Sequence, residues 1–354
     1  MSEKSKYENY NQNKRGERYN ANKSNLNFQY MEGKSTSTSE KSPEFCRIME
    51  EWLQQIAETR KYSTFIKYEK LYNCHIKNLF ESDCITQITG SYIKEKLISS
   101  DMSDTTKQSI LTLINQTLQY AEEYYGFPAI SVKNRFVRKK RKPVVILNRT
   151  EQVRLMRFLH HNINISKAGI ILCLSTGLRL GEICALKWTD IDMEQMLLHV
   201  NRTVQRIEIK NGFTKTALLE TPPKSAFSFR EIPISESLVS LLNVFRKADQ
   251  EYVLCTNKPM EPRTYQNHFK AYLKEIGSAD YNFHTLRHTF ATNCIDNGMD
   301  IKSLSEILGH SDVQITLNRY VHPTMDTKRK HMNALSAIYG QFCEQDIKKS
   351  DSSV

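Results

Sequence analysis

Residues 284–322 read HTLRHTFATNCIDNGMDIKSLSEILGHSDVQITLNRYVH. His284 and Arg287 stand at i and i+3 and share one face of a helix. Leu286 and Phe290, at i and i+4, anchor the core side of that helix. Leu304, Ile307 and Leu308 mark a second apolar helix that stops at Gly309, with His310 immediately past it. Ser311 and Asp312 begin a third helix, which carries Val313, Ile315 and Leu317. Tyr320 stands near its end, before Val321, His322 and Pro323 break it. The segment reads as helical throughout, with its polar residues gathered at helix starts and ends. A His and an Arg projecting together form a donor pair suited to a phosphate. His288 is assigned to packing or to support of its neighbours.

Working backwards from this stretch, helices are expected at about 150–162, 166–176 and 180–186, the second ending at Gly177. Arg179, in TGLRLGE at 176–182, is then held at a helix start, with Glu182 as a candidate ion-pair partner. Strand signals follow in Met196–Arg206, then in Ile207–Lys210 and Phe213–Ala217 around the turn pair Asn211-Gly212, and again in Phe229–Ile234. Ser235 caps a helix carrying Leu238, Leu241, Leu242 and Phe245. After Pro262 the pattern is helical almost to Gly340. This part of the chain is mostly helical with a small sheet inserted early.

Nearer the N-terminus, Phe45, Ile48, Met49, Trp52, Leu53 and Ile56 form one apolar helical face, and Phe65 to Phe80 repeat the pattern. A short helix near 92–98 and a longer one starting after Ser103 and ending near Gly126 complete a small all-α unit of four helices. The chain divides into a disordered polar tail (1–42), a helical domain (43–131), a basic linker (132–148), a second domain (149–340) and a C-terminal tail (341–354). Residues 1–42 hold one Leu and no Val, Ile, Trp or Cys, too little apolar surface to offset chain entropy.

The 354 residues carry 50 Lys+Arg against 39 Asp+Glu, a formal charge of +11 that favours a polyanionic partner. The run from Lys133 to Lys142 is the most basic and suits a phosphate backbone. The longest apolar run, Ala168 to Leu174, is far short of the ~20 residues of a membrane span, and the first residues do not read as a secretory signal. The eight cysteines are scattered without a Cys-x-x-Cys pair, which argues against a metal site or disulfide scaffold and for a reducing cytoplasm. Cys173 and Cys184 read as small core residues.

Two Arg, two His and a Tyr fit an in-line attack on a phosphodiester. No acidic cluster of metal-binding spacing accompanies them, so the Arg and His donors would do the work of Mg²⁺ without a metal or other cofactor. A phenol nucleophile would leave a phosphotyrosine that conserves the bond energy.

The ordered set TGLRLGE, HTLRH and LGHSDVQITLNRYVH strongly resembles the tyrosine recombinase (phage integrase) family. The helical domain before it is similar to that family's core-binding, SAM-like domain. The resemblance implies a mainly α fold: a small four-helix core-binding domain plus a mostly helical catalytic domain with a small antiparallel β-sheet. It implies that Arg179, Arg287, His284 and His310 bind and protonate around the scissile phosphate and that Tyr320 attacks it. The segment from Thr221 to Pro233 looks like the family's "PKT…S.R.IP" hairpin. The proton donor to the leaving 5′-oxygen is therefore placed on Lys224, with Ser225 where Thr is usual and Lys215 as the competitor. His284 is the expected base for Tyr320, and His310 a donor to a phosphate oxygen.

The activity so implied is site-specific DNA recombination through a 3′-phosphotyrosyl intermediate and a Holliday junction, serving integration and excision, inversion or resolution. The implied partners are double-stranded DNA, three further copies of the chain in a homotetramer on two sites, and an accessory DNA-bending or directionality factor. No membrane is involved, and the location is cytoplasmic, nucleoid-associated on DNA. A helix over 325–339, with Met332, Leu335, Ile338 and Tyr339 as its apolar stripe, docks either within its own chain or on a neighbour. A type IB topoisomerase-like relaxing enzyme and a non-catalytic DNA-binding protein on the same scaffold are the alternatives.

Overall fold

The structure, a computed structural model, describes residues 43–128, 130–132, 144–208, 216–223, 226–255 and 257–320, together with 325, 328–329 and 332–337. The tail at 1–42, the basic run at 133–142, Asn211, Gly212, Lys215, Lys224, Ser225, the break at 321–323 and residues 341–354 lie outside the described residues. Among the described residues no helix is long and apolar enough to cross a membrane.

The first unit is helical. Its elements are α1 (Phe45–Thr59), α2 (Tyr62–Leu71), α3 (Lys77–Phe80), α4 (Gly90–Ser99) and α5 (Asp104–Tyr125). The apolar face of α1 is buried as its spacing demands, from Phe45 to Ile56. Ser103 caps α5 by accepting from the Thr106 amide at 3.2 Å, and Gly126 closes it at φ +70°. Sequence periodicity predicts one continuous helix over Phe65–Phe80. The backbone is helical throughout that run, with a π-turn at Tyr72–Ile76, closed by the Lys77 amide on the Tyr72 carbonyl, set between α2 and α3. The wider turn leaves Tyr72, Ile76 and Phe80 all buried, and the Tyr72 hydroxyl donates to Glu50 at 2.6 Å.

The second unit begins with α6 (Arg149–His160), α7 (Ile165–Thr176) and α8 (Leu180–Ala185). Asn148 and Glu151 cap α6 reciprocally, each side chain accepting from the other's amide at 2.9 Å. Three short strands, β1 (Ile191–Asp192), β2 (Leu197–Val200) and β5 (Arg230–Pro233), form one antiparallel sheet in the order β1-β2-β5. A second antiparallel pair joins β3 (Thr203–Glu208) to β4 (Thr216–Thr221). The helices α9 (Glu236–Asn243), α10 (Pro262–Glu275), α11 (His284–Asp296), α12 (Ile301–Leu308) and α13 (Val313–Tyr320) follow. The fold is mainly α with small antiparallel sheets, as the sequence implied.

Two local readings change. The run expected over Met196–Arg206 is two strands, because Asn201 and Arg202 turn aside to the buried Asp190 and send β2 and β3 to different sheets. The hairpin pairs β3 with β4 as far as Glu208↔Thr216, and the turn at Asn211-Gly212 lies outside the described residues. In α13 the buried pair is Thr316 and Tyr320, at i and i+4, whereas Val313 and Ile315 are exposed.

The central apolar cluster of the second unit gathers α6 to α11 around Leu172, Trp188, Leu198, Phe269 and Leu286. Cys173 and Cys184 sit in it as expected, and burial raises both thiols. A satellite cluster of Phe290, Ala291, Leu304, Leu308 and Tyr320 packs α11, α12 and α13 together. That second cluster positions the candidate site. The first unit touches the second where Lys61 donates to the Pro223 carbonyl at 3.4 Å and the Tyr62 hydroxyl reaches the Glu208 carbonyl.

Candidate active site

Arg179 stands at the start of α8. The Glu182 carboxylate accepts from its amide at 2.9 Å and from its Nη1 at 2.7 Å. Its Nη2 donates to the Gly309 carbonyl at 3.2 Å. The guanidinium keeps about a third of its surface open, so its outer edge can meet a ligand.

Arg287, on α11, is 1% exposed. It donates to the Gly177 carbonyl at 2.8 Å and to the Leu308 carbonyl at 2.6 Å. Both carbonyls belong to helix ends closed by left-handed glycines, Gly177 at φ +67° and Gly309 at φ +63°. Each helix end carries partial negative charge, which suits a buried cation. Burial, then the Arg179 charge, pushes Arg287 down to about 9, which still leaves it a cation at neutral pH.

His310 follows Gly309. Its Nε2 lies 3.0 Å from Arg287 Nη2 and its Nδ1 lies 2.8 Å from the Thr316 hydroxyl. An arginine has only donors, so Nε2 accepts and the proton sits on Nδ1, donated to Thr316. In this state Nε2 has no proton to offer a phosphate; a tautomer change or protonation must come first.

His284 opens to solvent at the start of α11. Its ring meets His288 edge-on, with centroids 4.5 Å apart. Tyr320 is largely buried, and its hydroxyl lies 2.7 Å from His288 Nδ1. Sequence predicts His284 as the base for the phenol; in the structure the imidazole at hydrogen-bond distance from it is that of His288. The reason is helical phase: one turn further along α11, the i+4 residue faces the end of α13.

The electrostatics follow from burial beside several arginines. Desolvation, then Arg287, Arg319 and Arg179, push His284 down to about 4. Desolvation, then the same three cations and Arg230, push His310 to about 3. All three site histidines are therefore neutral at pH 7, His288 included. The Tyr320 phenol is raised by burial, which outweighs the lowering by Arg287, Arg319 and Arg179. It is protonated at rest.

Two residues given no role in the sequence analysis shape the site. Arg230, at the start of β5, pairs with Glu182 and donates through Nε to the Ile307 carbonyl. Its buried ion pair leaves no local trace in sequence. Arg319, one residue before Tyr320, is exposed yet felt by every site histidine. Its place beside the tyrosine was a usable signal. Lys224 lies outside the described residues.

Arg179, Arg287, His310 and Tyr320 thus come from four separate helix ends to one place. Residues 146–327, just over half of the chain, match the phage integrase family, and residues 45–100 match the phage integrase N-terminal SAM-like domain. The chain belongs to the phage integrase family. It is a tyrosine-type site-specific recombinase. The enzyme is 29% identical over 329 residues to a "tyrosine recombinase XerC-like" protein of Caldanaerobacter subterraneus subsp. tengcongensis, covering 82% of each chain. Its fold is similar to that of the Tn1549 transposon integrase in complex with a circular intermediate DNA, with a TM-score of 0.69, 21% identity and coverage of 83% of this chain and 100% of that one. It is also similar to a lambda integrase tetramer bound to a Holliday junction, with a TM-score of 0.59, 17% identity and coverage of 80% and 79%.

Proposed function

We propose that this enzyme binds duplex DNA and that Tyr320 attacks a scissile phosphate, forming a 3′-phosphotyrosyl bond and releasing a 5′-hydroxyl. Arg179 and Arg287 offset charge on the non-bridging oxygens. His284 and His310 border the same phosphate as hydrogen-bond partners. Lys224 delivers the proton to the leaving 5′-oxygen. A partner strand's 5′-hydroxyl then attacks the phosphotyrosine, giving a Holliday junction that a second round of exchange resolves. Residues 43–131 and 149–340 grip the duplex from two sides, and the basic residues of 132–148 add positive charge for its phosphates. The reaction serves integration and excision, inversion or resolution, in the cytoplasm on nucleoid DNA.

The observation that carries this reading is the convergence of Arg179, Arg287 and His310, linked through Arg287–His310 at 3.0 Å and through the carbonyls of Leu308 and Gly309, with Tyr320 near enough to feel the charge of both arginines. We also assign the working state as a homotetramer on two sites. Met325, Met332 and Leu335 form an exposed apolar stripe on the C-terminal helical turns. A groove lined by Leu174, Phe290, Cys294 and Met299 offers an apolar counterpart on a neighbouring copy.

The test is incubation with a nicked suicide duplex carrying the site. Wild-type protein forms a covalent adduct, Tyr320→Phe forms none while still binding DNA, and His310→Ala is slowed in cleavage and religation. Recombinant product that requires two sites distinguishes recombination from relaxation of a single duplex. No adduct from wild-type protein would leave only a DNA-binding role.

A further inference from the structure

We propose that His288 is the proton acceptor for Tyr320, a catalytic role on the reacting oxygen itself. The inference rests on Tyr320 being the nucleophile. Among the described residues, His288 is the one side chain hydrogen-bonded to the Tyr320 hydroxyl, Nδ1 to oxygen at 2.7 Å. The two rings lie 5.6 Å apart, and each residue is 8% exposed, so bulk water does not compete for the proton.

An Nδ1 that accepts from a phenol must be unprotonated, which makes His288 a neutral imidazole with its hydrogen on Nε2. Its surroundings enforce the neutral form. His284 and Arg287 face it from its own helix, Arg319 and Tyr320 from α13, and His310 from the turn before α13. Burial first, and then these neighbours, hold the imidazole down to about 3. Burial also keeps the phenol protonated. The resting pair is therefore Tyr–OH donating to a neutral His, the arrangement a base needs before attack.

The same cations oppose protonation of His288. A phosphodiester seated against Arg179 and Arg287 supplies the missing counter-charge, and the pentacoordinate phosphoryl group carries more negative charge still. Proton transfer then becomes favourable when DNA is in place, which ties activation of the nucleophile to substrate binding. In the forward step the tyrosine O–P bond forms and the P–O5′ bond breaks. The phenol proton goes to His288 Nδ1, and the 5′-oxygen takes a proton from its own donor. In religation the P–O5′ bond forms and the tyrosine O–P bond breaks; the 5′-hydroxyl returns its proton to the same donor, and the departing phenolate recovers its own from His288.

The competing idea is a hydrogen bond that only orients the ring, and a pH profile separates the two. Single-turnover cleavage of the suicide duplex is measured between about pH 5 and pH 10 for wild type and His288→Asn, which keeps an acceptor but takes no proton. The expected result is DNA binding like wild type with cleavage slowed about 100-fold or more at neutral pH. The variant's rate should then climb roughly tenfold per pH unit as hydroxide replaces the base, while wild type levels off. If the Asn variant misfolds, His288→Ala is used, and imidazole in the buffer should restore part of its rate. A variant within a few-fold of wild type, a slow variant whose pH profile parallels wild type, or an Ala variant that imidazole does not restore would overturn the assignment. Wild-type protein that forms no adduct, or Tyr320→Phe that still forms one, would instead refute the nucleophile.

Discussion

Arg230 and Glu182 lock together through two parallel hydrogen bonds, Nη2 to Oε2 at 2.8 Å and Nη1 to Oε1 at 3.1 Å, with both side chains 5% exposed. The same carboxylate holds Arg179. Burial alone would raise the Glu182 carboxyl; Arg230 and Arg179 reverse this and bring it to about 2. One acid therefore ties β5 to α8, and through Arg230 to the Ile307 carbonyl beside His310.

Glu182→Ala leaves a buried guanidinium without its counter-charge. Breaking a buried pair by removing one partner costs about 3–5 kcal/mol. Denaturant unfolding should show a loss of that order, and cleavage should fall further than DNA binding because Arg179 also loses its orientation.

Gly309→Ala attacks the same junction from the backbone side. Gly309 has φ +63°, and an added Cβ would lie 3.0 Å from Arg230 Cδ and 3.1 Å from the Phe227 carbonyl. The left-handed conformation alone costs about 1–2 kcal/mol for a residue with a Cβ. A lowered melting temperature together with a slower cleavage step is expected, since His310 follows directly.

Thr316→Val keeps the shape of a fully buried side chain and removes the acceptor for His310 Nδ1–H. An unsatisfied buried donor costs about 1–3 kcal/mol. Arg287 still needs Nε2 as its acceptor, so the imidazole keeps its proton on Nδ1 without a partner, and denaturant unfolding should show a stability loss of that order.

Stability should fall on acidification in a window set by the three site histidines. Their folded values are about 4 for His284 and about 3 for both His288 and His310, below the ordinary 6.5. Below about pH 6.5 the unfolded chain takes up protons that the folded chain refuses, so stability is full above that pH and declines toward pH 3. Melting temperature against pH should show this decline, and His288→Asn should make it shallower. Glu182 adds its own loss only lower, as pH falls from about 4.5 toward 2.

The helices were legible because their signals are local. Apolar spacing marks the buried face of α1, Ser103 and Asn148 cap α5 and α6, and glycines stop α7 and α12. The order of Arg179, His284, Arg287, His310 and Tyr320 was legible for the same reason, since each sits at a recognisable helix start or end. The break between β2 and β3 was not, because it depends on Asp190, more than ten positions away from the residues it captures.

The sequence by itself determined which residues are helical, where those helices begin and end, and which polar groups are available at their ends. Only the tertiary structure decided that His288 rather than His284 meets Tyr320, and that Arg230 completes the cluster around Glu182. His284 and His288 lie one turn apart on the same helix, so spacing along the chain treats them alike. The rotation of α11 against α13, set by packing of Phe290, Leu304, Leu308 and Tyr320, makes the choice between them.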